Sequence, residues 1–219
     1  MSEYNKYVIS VCSERYDAFM QYMNDLDQGH IYKLPTKITK NKHWIGAGLS
    51  HQDCVRHAME NRSPYAMVFE DDCRFMTGYE PVLNSVIEFI NKNNDWEYIG
   101  LSHTFLHKIG AMKRNPNIDI ANFLAAESRF HRVSDYLIEV NLSDLQGPVI
   151  GNSCCVIYNN TVYKKYLNEF DPYTHEWCDV WSPKNLKTLI AAPGVAYQHG
   201  KPWQKVHCKT WNNFISNIK

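Results

Sequence analysis

The run YAMVFEDD, residues 65–72, places five uncharged and mostly apolar residues directly before three consecutive acids, Glu70-Asp71-Asp72. So short an unbroken apolar run suits a central parallel strand buried on both faces, although periodicity alone does not separate it from a buried helix. Three carboxylates at its end repel one another, which costs stability unless a cation or hydrogen-bond donors offset the repulsion. The chain must therefore fold so that a buried strand opens onto a place where charge is managed.

The elements around this run alternate. Lys6–Cys12 reads as a strand, and Ser13 then caps a helix whose apolar positions Tyr16, Phe19, Met20 and Met23 recur at helical spacing. A short strand near His30–Leu34 is halted by Pro35. Gly46-Ala47-Gly48 reads as punctuation before Ser50, an N-cap with Asp53 three positions on, opening a helix of about 10 residues with Leu49, Val55, Ala58 and Met59 on one face. Pro81 fits a first helical turn, followed by the stripe Val82, Leu83, Val86, Ile87 and Ile90. Strands follow at Trp96–Leu101, Tyr136–Val140 and Cys154–Tyr158, then a helix carrying Tyr163, Tyr166, Leu167 and Phe170. Residues 104–135 are weakly patterned and suit an excursion over a site, and Leu189–Lys205 reads as short strands and loops. This order predicts an α/β sandwich with a mostly parallel central sheet, in which ligands bind outside the carboxyl ends of the strands. Glu70-Asp71-Asp72 lies at such an end.

At 219 residues the expectation is a single domain, 1–219, with 1–103 as the nucleotide-binding half and 104–219 as the acceptor-binding half. The formal net charge of +0 argues against a nucleic-acid partner, which needs a surplus of Lys and Arg. No apolar run approaches the roughly 20 residues of a membrane-spanning helix, and the start MSEYNKYVIS lacks the basic-then-apolar order of a signal peptide. These features read as cytoplasmic. Seven cysteines without C-x-x-C spacing indicate neither a disulfide framework nor a zinc site, and read as buried thiols.

Oxygen ligands in the arrangement of the acid cluster suit Mn²⁺ or Mg²⁺, which commonly bind through one or two carboxylates plus the phosphates of a substrate. The competing reading is a solvated turn whose acids cap the next helix.

The stretch GAGLSHQDCVRHAMENRSPYAMVFEDD, residues 46–72, resembles the signature of glycosyltransferase family 25, the lipopolysaccharide and collagen galactosyltransferase group: a Gly-rich turn, the Ser50-His51 helix start, a spacer, an apolar strand and Glu-Asp-Asp. The size and opening of the chain also resemble, more faintly, the small capsid-glycosylating glycosyltransferase domains of large DNA viruses, which would place it in a host cytoplasm. The family resemblance implies a GT-A-like fold, a nucleotide-sugar donor and usually Mn²⁺. It further implies that Asp72 holds the metal while Glu70 and Asp71 place the ribose and the sugar, with inversion at the anomeric carbon. YQHGKPWQ, residues 197–204, is similar to the His-x-x-Gly-x-x-Lys-Pro-Trp element of glycogenin-like family 8 transferases, with its spacing contracted. That likeness makes His199 a metal ligand and Lys201 a diphosphate contact, and it pulls toward retention, so stereochemistry stays open. The alternative is a surface turn in which Trp203 packs.

Arg15, just after the first strand, stands where it can pair with phosphate, or lie as a solvated helix residue. His51 reads as orienting its loop by hydrogen bonding. Asp179 in HEWCDVWSP, between Trp177 and Trp181, is a candidate base for an acceptor hydroxyl beside an aromatic platform, or a loop aspartate bonding backbone amides. Together these predict a metal-dependent transfer of a hexose from a nucleoside-diphosphate sugar, a UDP-sugar first, to a hydroxyl of a glycan or glycoprotein acceptor. A sugar-nucleotidyltransferase would show a Gly-rich phosphate loop after the first strand, and VCSERYDAF contains no glycine. A non-catalytic carbohydrate-binding module would explain the aromatics without three acids at a strand end, and would bind no metal.

Overall fold

A computed structural model describes residues 4–39, 42–102, 104–106, 130–141, 149–151, 153–174 and 177–200. Among these residues twelve strands are present: β1 Asn5–Ile9, β2 Tyr32–Lys33, β3 Tyr65–Glu70, β4 Cys73–Phe75, β5 Tyr98–Gly100, β6 Thr104–Leu106, β7 Phe130–Ser134, β8 Leu137–Val140, β9 Val149–Gly151, β10 Cys155–Asn159, β11 Thr188–Ala191 and β12 Ala196–Gln198. The α-helices are α1 Ser13–Asp25, α2 His43–Glu60, α3 Glu80–Lys92, α4 Tyr163–Glu169 and α5 Cys178–Asn185.

Eight strands form the central sheet in the order β2-β1-β3-β10-β5-β11-β8-β7, while β12 pairs with β4 and β6 with β9 in two-stranded ribbons. Alternation along each central strand divides the core into two layers. Val8, Met67, Phe69, Ile157 and Leu189 pack with Phe19 and Met23 of α1 and Val82 and Val86 of α3. Tyr7, Ala66, Val68, Val156 and Tyr158 pack on the other face with Val55 of α2, Tyr166 of α4 and Trp181 of α5. The α/β sandwich expected from the sequence is observed, and β3 is central and buried on both faces.

The sheet is mixed rather than mostly parallel. β3 runs parallel to β1 but antiparallel to β10, which is also antiparallel to β5. A parallel neighbour needs a crossover of a dozen or more residues, usually helical. β10 enters from the end at which β3 leaves, pairing Cys155 with Phe69 and Asn159 with Tyr65.

α2 begins seven residues before Ser50, so Gly46-Ala47-Gly48 lies within the helix and Ser50 does not cap it. The glycines answer to packing. A Cβ on Gly46 would overlap the Lys37 carbonyl oxygen, and one on Gly48 would come within 2.9 Å of Pro172 Cβ. Ser13 likewise is the first residue of α1, with Cys12 in the capping position. Cys54, Cys73, Cys154, Cys155 and Cys178 are buried thiols, as cysteines used for packing would be. Among the described residues no helix is long and apolar enough to cross a membrane.

Both α1 and α2 end in the paired carbonyl bonds of a Schellman cap. In α2, Ser63 N–H donates to Ala58 O at 2.9 Å and Arg62 N–H to Met59 O at 3.1 Å. The position that usually takes glycine is Arg62, at φ +54°, and its counterpart after α1 is Asp27, at φ +50°. A left-handed conformation costs a residue with a Cβ about 1–2 kcal/mol, of which glycine's unfolded-state entropy returns about 0.5–1 kcal/mol. Arg62→Gly is therefore expected to raise stability by about 0.5–1 kcal/mol, read as a higher urea midpoint with an unchanged denaturant slope.

Candidate functional site

The carboxyl ends of β1 and β3 open into a cleft of about 330 Å³. Ile9 and Val11 line it from the first strand and its exit, Arg15 from α1, Thr36–Thr39 from the loop after β2, His43 and Ala47 from α2, Glu70–Asp72 from β3, and Gln198 from β12. Glu70 ends β3, and Asp71 and Asp72 form the tight turn that joins it to β4. They do not cap the following helix.

Each carboxylate has a different environment. Asp71 is 5% exposed. Its Oδ2 accepts from Ser10 Oγ–H at 2.6 Å, its Oδ1 is ion-paired to Arg15 Nη2, and its backbone N–H donates to Ile9 O at 3.0 Å. Asp72 stands at the edge, with Oδ2 3.4 Å from the same Arg15 Nη2. One guanidinium thus faces two adjacent carboxylates and offsets part of their repulsion. Glu70 accepts from Ser153 Oγ–H at 3.1 Å and from Gln198 Nε2–H at 2.8 Å. Burial, and then the negative charges of Asp72 and Asp179, push its carboxyl up to about 7, against the pull of those two hydrogen bonds.

The opposite wall is held by α2. Ser50 Oγ accepts the Lys37 N–H at 3.0 Å and donates to Gly46 O at 2.8 Å, while Thr36 Oγ1 accepts the Ser10 N–H at 3.1 Å. Gly46 and Ser50, one helical turn apart, let the Thr36–Thr39 loop lie directly on the helix. The Gly-rich and Ser50 part of the motif acquires here a definite task, which is to hold the backbone of Lys37 against α2 at the cleft wall.

Arg15, Glu70, Asp71 and Asp72 are therefore brought together, and Ser50 supports them from behind. His51 is not at the site: it is fully buried in α2, with Nδ1 3.1 Å from the Tyr158 hydroxyl, and burial pushes its imidazole down to about 4. His199 meets Asp72 through its backbone, its N–H donating to Asp72 O at 2.6 Å, and its residue is exposed beside Gly200. Lys201 and Trp203 lie outside the described residues. Asp179, in the first turn of α5, is 9% exposed and absent from the cleft lining, yet near enough to raise Glu70. Of the two tryptophans beside it, Trp181 is 6% exposed and packs against Tyr166 and Phe170 in the core, so it cannot serve as a ligand platform.

Among the described residues no group of three or more His, Cys, Asp or Glu side chains could hold a metal ion. A cage made by the described residues alone does not fit this site. A divalent cation held by Asp72, with His199 adjacent on the β4–β12 ribbon and substrate phosphates completing its shell, does fit the donor chemistry.

No family model matches the chain. No curated protein matches it either, so the family 25 likeness rests on residues 46–72. Among solved structures, the crystal structure of A197 from STIV aligns over 90% of this chain and 85% of that one, at 9% identity and a TM-score of 0.45. That likeness is too distant to bear on activity.

Sequence reading did not find Ser10, Thr36, Lys37, Thr39, His43, Ser153 or Gln198. The one usable signal was LPTKITKNKH, a polar and basic stretch directly after a strand that Pro35 terminates.

Proposed function

We propose that the chain is a hexosyltransferase that takes a nucleoside-diphosphate sugar, most simply a UDP-sugar, and passes the sugar to a hydroxyl of a glycan or glycoprotein. The observation that carries this reading is the joining of Glu70, Asp71, Asp72, Arg15 and Lys37 around one cleft at the carboxyl ends of adjacent parallel strands, where α/β sheets bind nucleotides. The family 25 resemblance of residues 46–72 points the same way.

In this scheme residues 1–103 bind the donor. Asp72, with His199, would hold Mn²⁺ or Mg²⁺, which when bound offsets charge on the departing diphosphate. Asp71, fixed by Ser10 and Arg15, orients the ribose or sugar hydroxyls as an acceptor of hydrogen bonds. Arg15 and Lys37 are placed to pair with phosphate oxygens, and Lys201 joins them by the family 8 resemblance. The acceptor proton is taken up at the Glu70 carboxylate, which lines the cleft, and burial, followed by the charges of Asp72 and Asp179, keeps that carboxylate basic enough to accept near neutral pH. Asp179 then acts through Glu70, since it does not itself line the cleft.

Calorimetric titration of UDP with and without Mn²⁺ tests the proposal. Wild type is expected to bind UDP only with Mn²⁺, and Asp72→Ala, checked by thermal melting for an intact fold, to weaken that binding by at least about 100-fold, since outer-shell changes alone cost about 10–100-fold in metal affinity. UDP binding indifferent to both Mn²⁺ and Asp72 removes the metal from the scheme. Absence of UDP binding under either condition overturns the UDP-sugar reading.

A further inference from the structure

We propose that His43, Trp44 and Trp177 form a platform for the pyranose ring of a neutral glycan, the acceptor end of the transferase site. The inference rests on the transferase reading for the word acceptor, but its physical basis is separate.

The two indoles come from elements far apart in the chain. Trp44 is in the first turn of α2, and Trp177 is the residue that leads into α5. Their rings stack with centroids 6.2 Å apart and planes 24° apart. The His43 imidazole stands edge-on to both, 5.5 Å from Trp44 and 6.1 Å from Trp177.

This stack differs from the large aromatic clusters among the described residues. Tyr166, Phe170 and Trp181, and equally Phe75 and Tyr79, are buried members of the two cores. Trp44 and Trp177 belong to neither core and are only partly buried. Two tryptophans held against each other outside both cores leave ring surface in water that packing alone would have covered. Such surface at the rim of a polar cleft is the usual dress of a ligand site.

Its location agrees. His43 and Ala47, one turn apart on α2, line the cleft, so the stack continues the wall that carries them. Two residues beyond Trp177 lies Asp179, whose charge reaches Glu70 in the cleft. The platform is thus linked to the acids from both sides, by α2 and by the start of α5. A pyranose suits it because one face of the ring is a sheet of C–H groups that rests on an indole, while its rim of hydroxyls needs polar partners such as the His43 imidazole. The stack itself offers indole faces and an imidazole edge rather than a guanidinium or ammonium, which suits a neutral ring over a charged one.

The test is saturation-transfer NMR on the whole chain with methyl β-galactoside, methyl α-glucoside and methyl α-mannoside as probes, run beside UDP calorimetry. At least one glycoside is expected to receive saturation at its ring C–H protons. Trp44→Ala should lower that signal at least about fivefold, and Trp44→Phe should keep most of it, because a smaller aromatic face remains. UDP affinity should stay within about twofold of wild type in both. Thermal melting identifies any loss caused by misfolding, and the Trp44→Phe variant then carries the comparison. No transfer to any of the three glycosides in wild type overturns the platform, as does an undiminished signal in Trp44→Ala. UDP binding lost with Trp44 overturns it in another way, by making the stack a nucleobase site. Glycoside signals that depend on Trp44 in a protein that binds no UDP support the platform while removing the transferase.

Discussion

Gly46→Ala is expected to destabilise the protein by about 1–3 kcal/mol and to weaken binding in the cleft, although the same change in an ordinary helix interior stabilises by about 1 kcal/mol. Gly46 sits inside α2, where alanine is the better helix former. What opposes it is backbone: the added methyl would overlap the Lys37 carbonyl, and no side-chain rotation relieves that. Either the Thr36–Thr39 loop lifts away or α2 shifts, and both movements displace Lys37, Thr36 and Thr39 from the cleft wall. Ser50→Ala makes a useful companion, because it removes the acceptor of the Lys37 N–H without adding bulk. Urea denaturation and UDP titration of the two variants separate the effects. If Gly46→Ala is as stable as wild type and binds as well, the close approach of loop and helix does not matter to the site.

The same residues show why the site was only partly legible in the sequence. β3 and its acids could be read because burial and charge change abruptly between Phe69 and Glu70, a signal local to a few residues. The helix through Gly46-Ala47-Gly48 could not be read as one element. Glycine weakens a helix locally, and the reason for it here, a loop passing within van der Waals range, is a tertiary contact. The Thr36–Thr39 loop was missed for the complementary reason, since its position depends on Ser50 and Gly46 more than on its own residues. Strand direction fared likewise: the pattern of Cys155–Asn159 announces a buried strand, while its antiparallel sense lies in its pairing with Tyr65–Glu70 and Tyr98–Gly100, which are distant in sequence. Asp179 shows the limit of a local pattern: the carboxylate between two tryptophans is visible in the sequence, whereas its charge interaction with Glu70, the burial of Trp181 and the stacking of Trp177 on Trp44 are tertiary.

A pH experiment yields the largest expected effect, and it comes from two groups of opposite sign. His51 is buried as the neutral imidazole, its pKa lowered from 6.5 to about 4 by burial. The unfolded chain therefore takes up a proton that the folded chain refuses, so stability is lost as pH falls from 6.5 toward about 4. Glu70 is displaced upward from 4.5 to about 7 by burial and by Asp72 and Asp179. The folded chain there keeps a proton that the unfolded chain has released, so stability is lost as pH rises from 4.5 toward about 7. Each displacement of about 2.5 pH units corresponds to roughly 3 kcal/mol. Across the shared window, about pH 4.5 to 6.5, the two contributions cancel in wild type. Substitution should uncover them one at a time in metal-free buffer. His51→Gln is expected to gain about 3 kcal/mol relative to wild type as pH is lowered from 6.5 to about 4, and Glu70→Gln to gain a similar amount as pH is raised from 4.5 to about 7. Difference curves of unfolding free energy against pH, variant minus wild type, isolate each group from the other titrating residues. A flat curve for His51→Gln would mean that this imidazole ionises inside the folded protein. The helix would then have to admit a charge beside the Tyr158 hydroxyl, 3.1 Å from Nδ1.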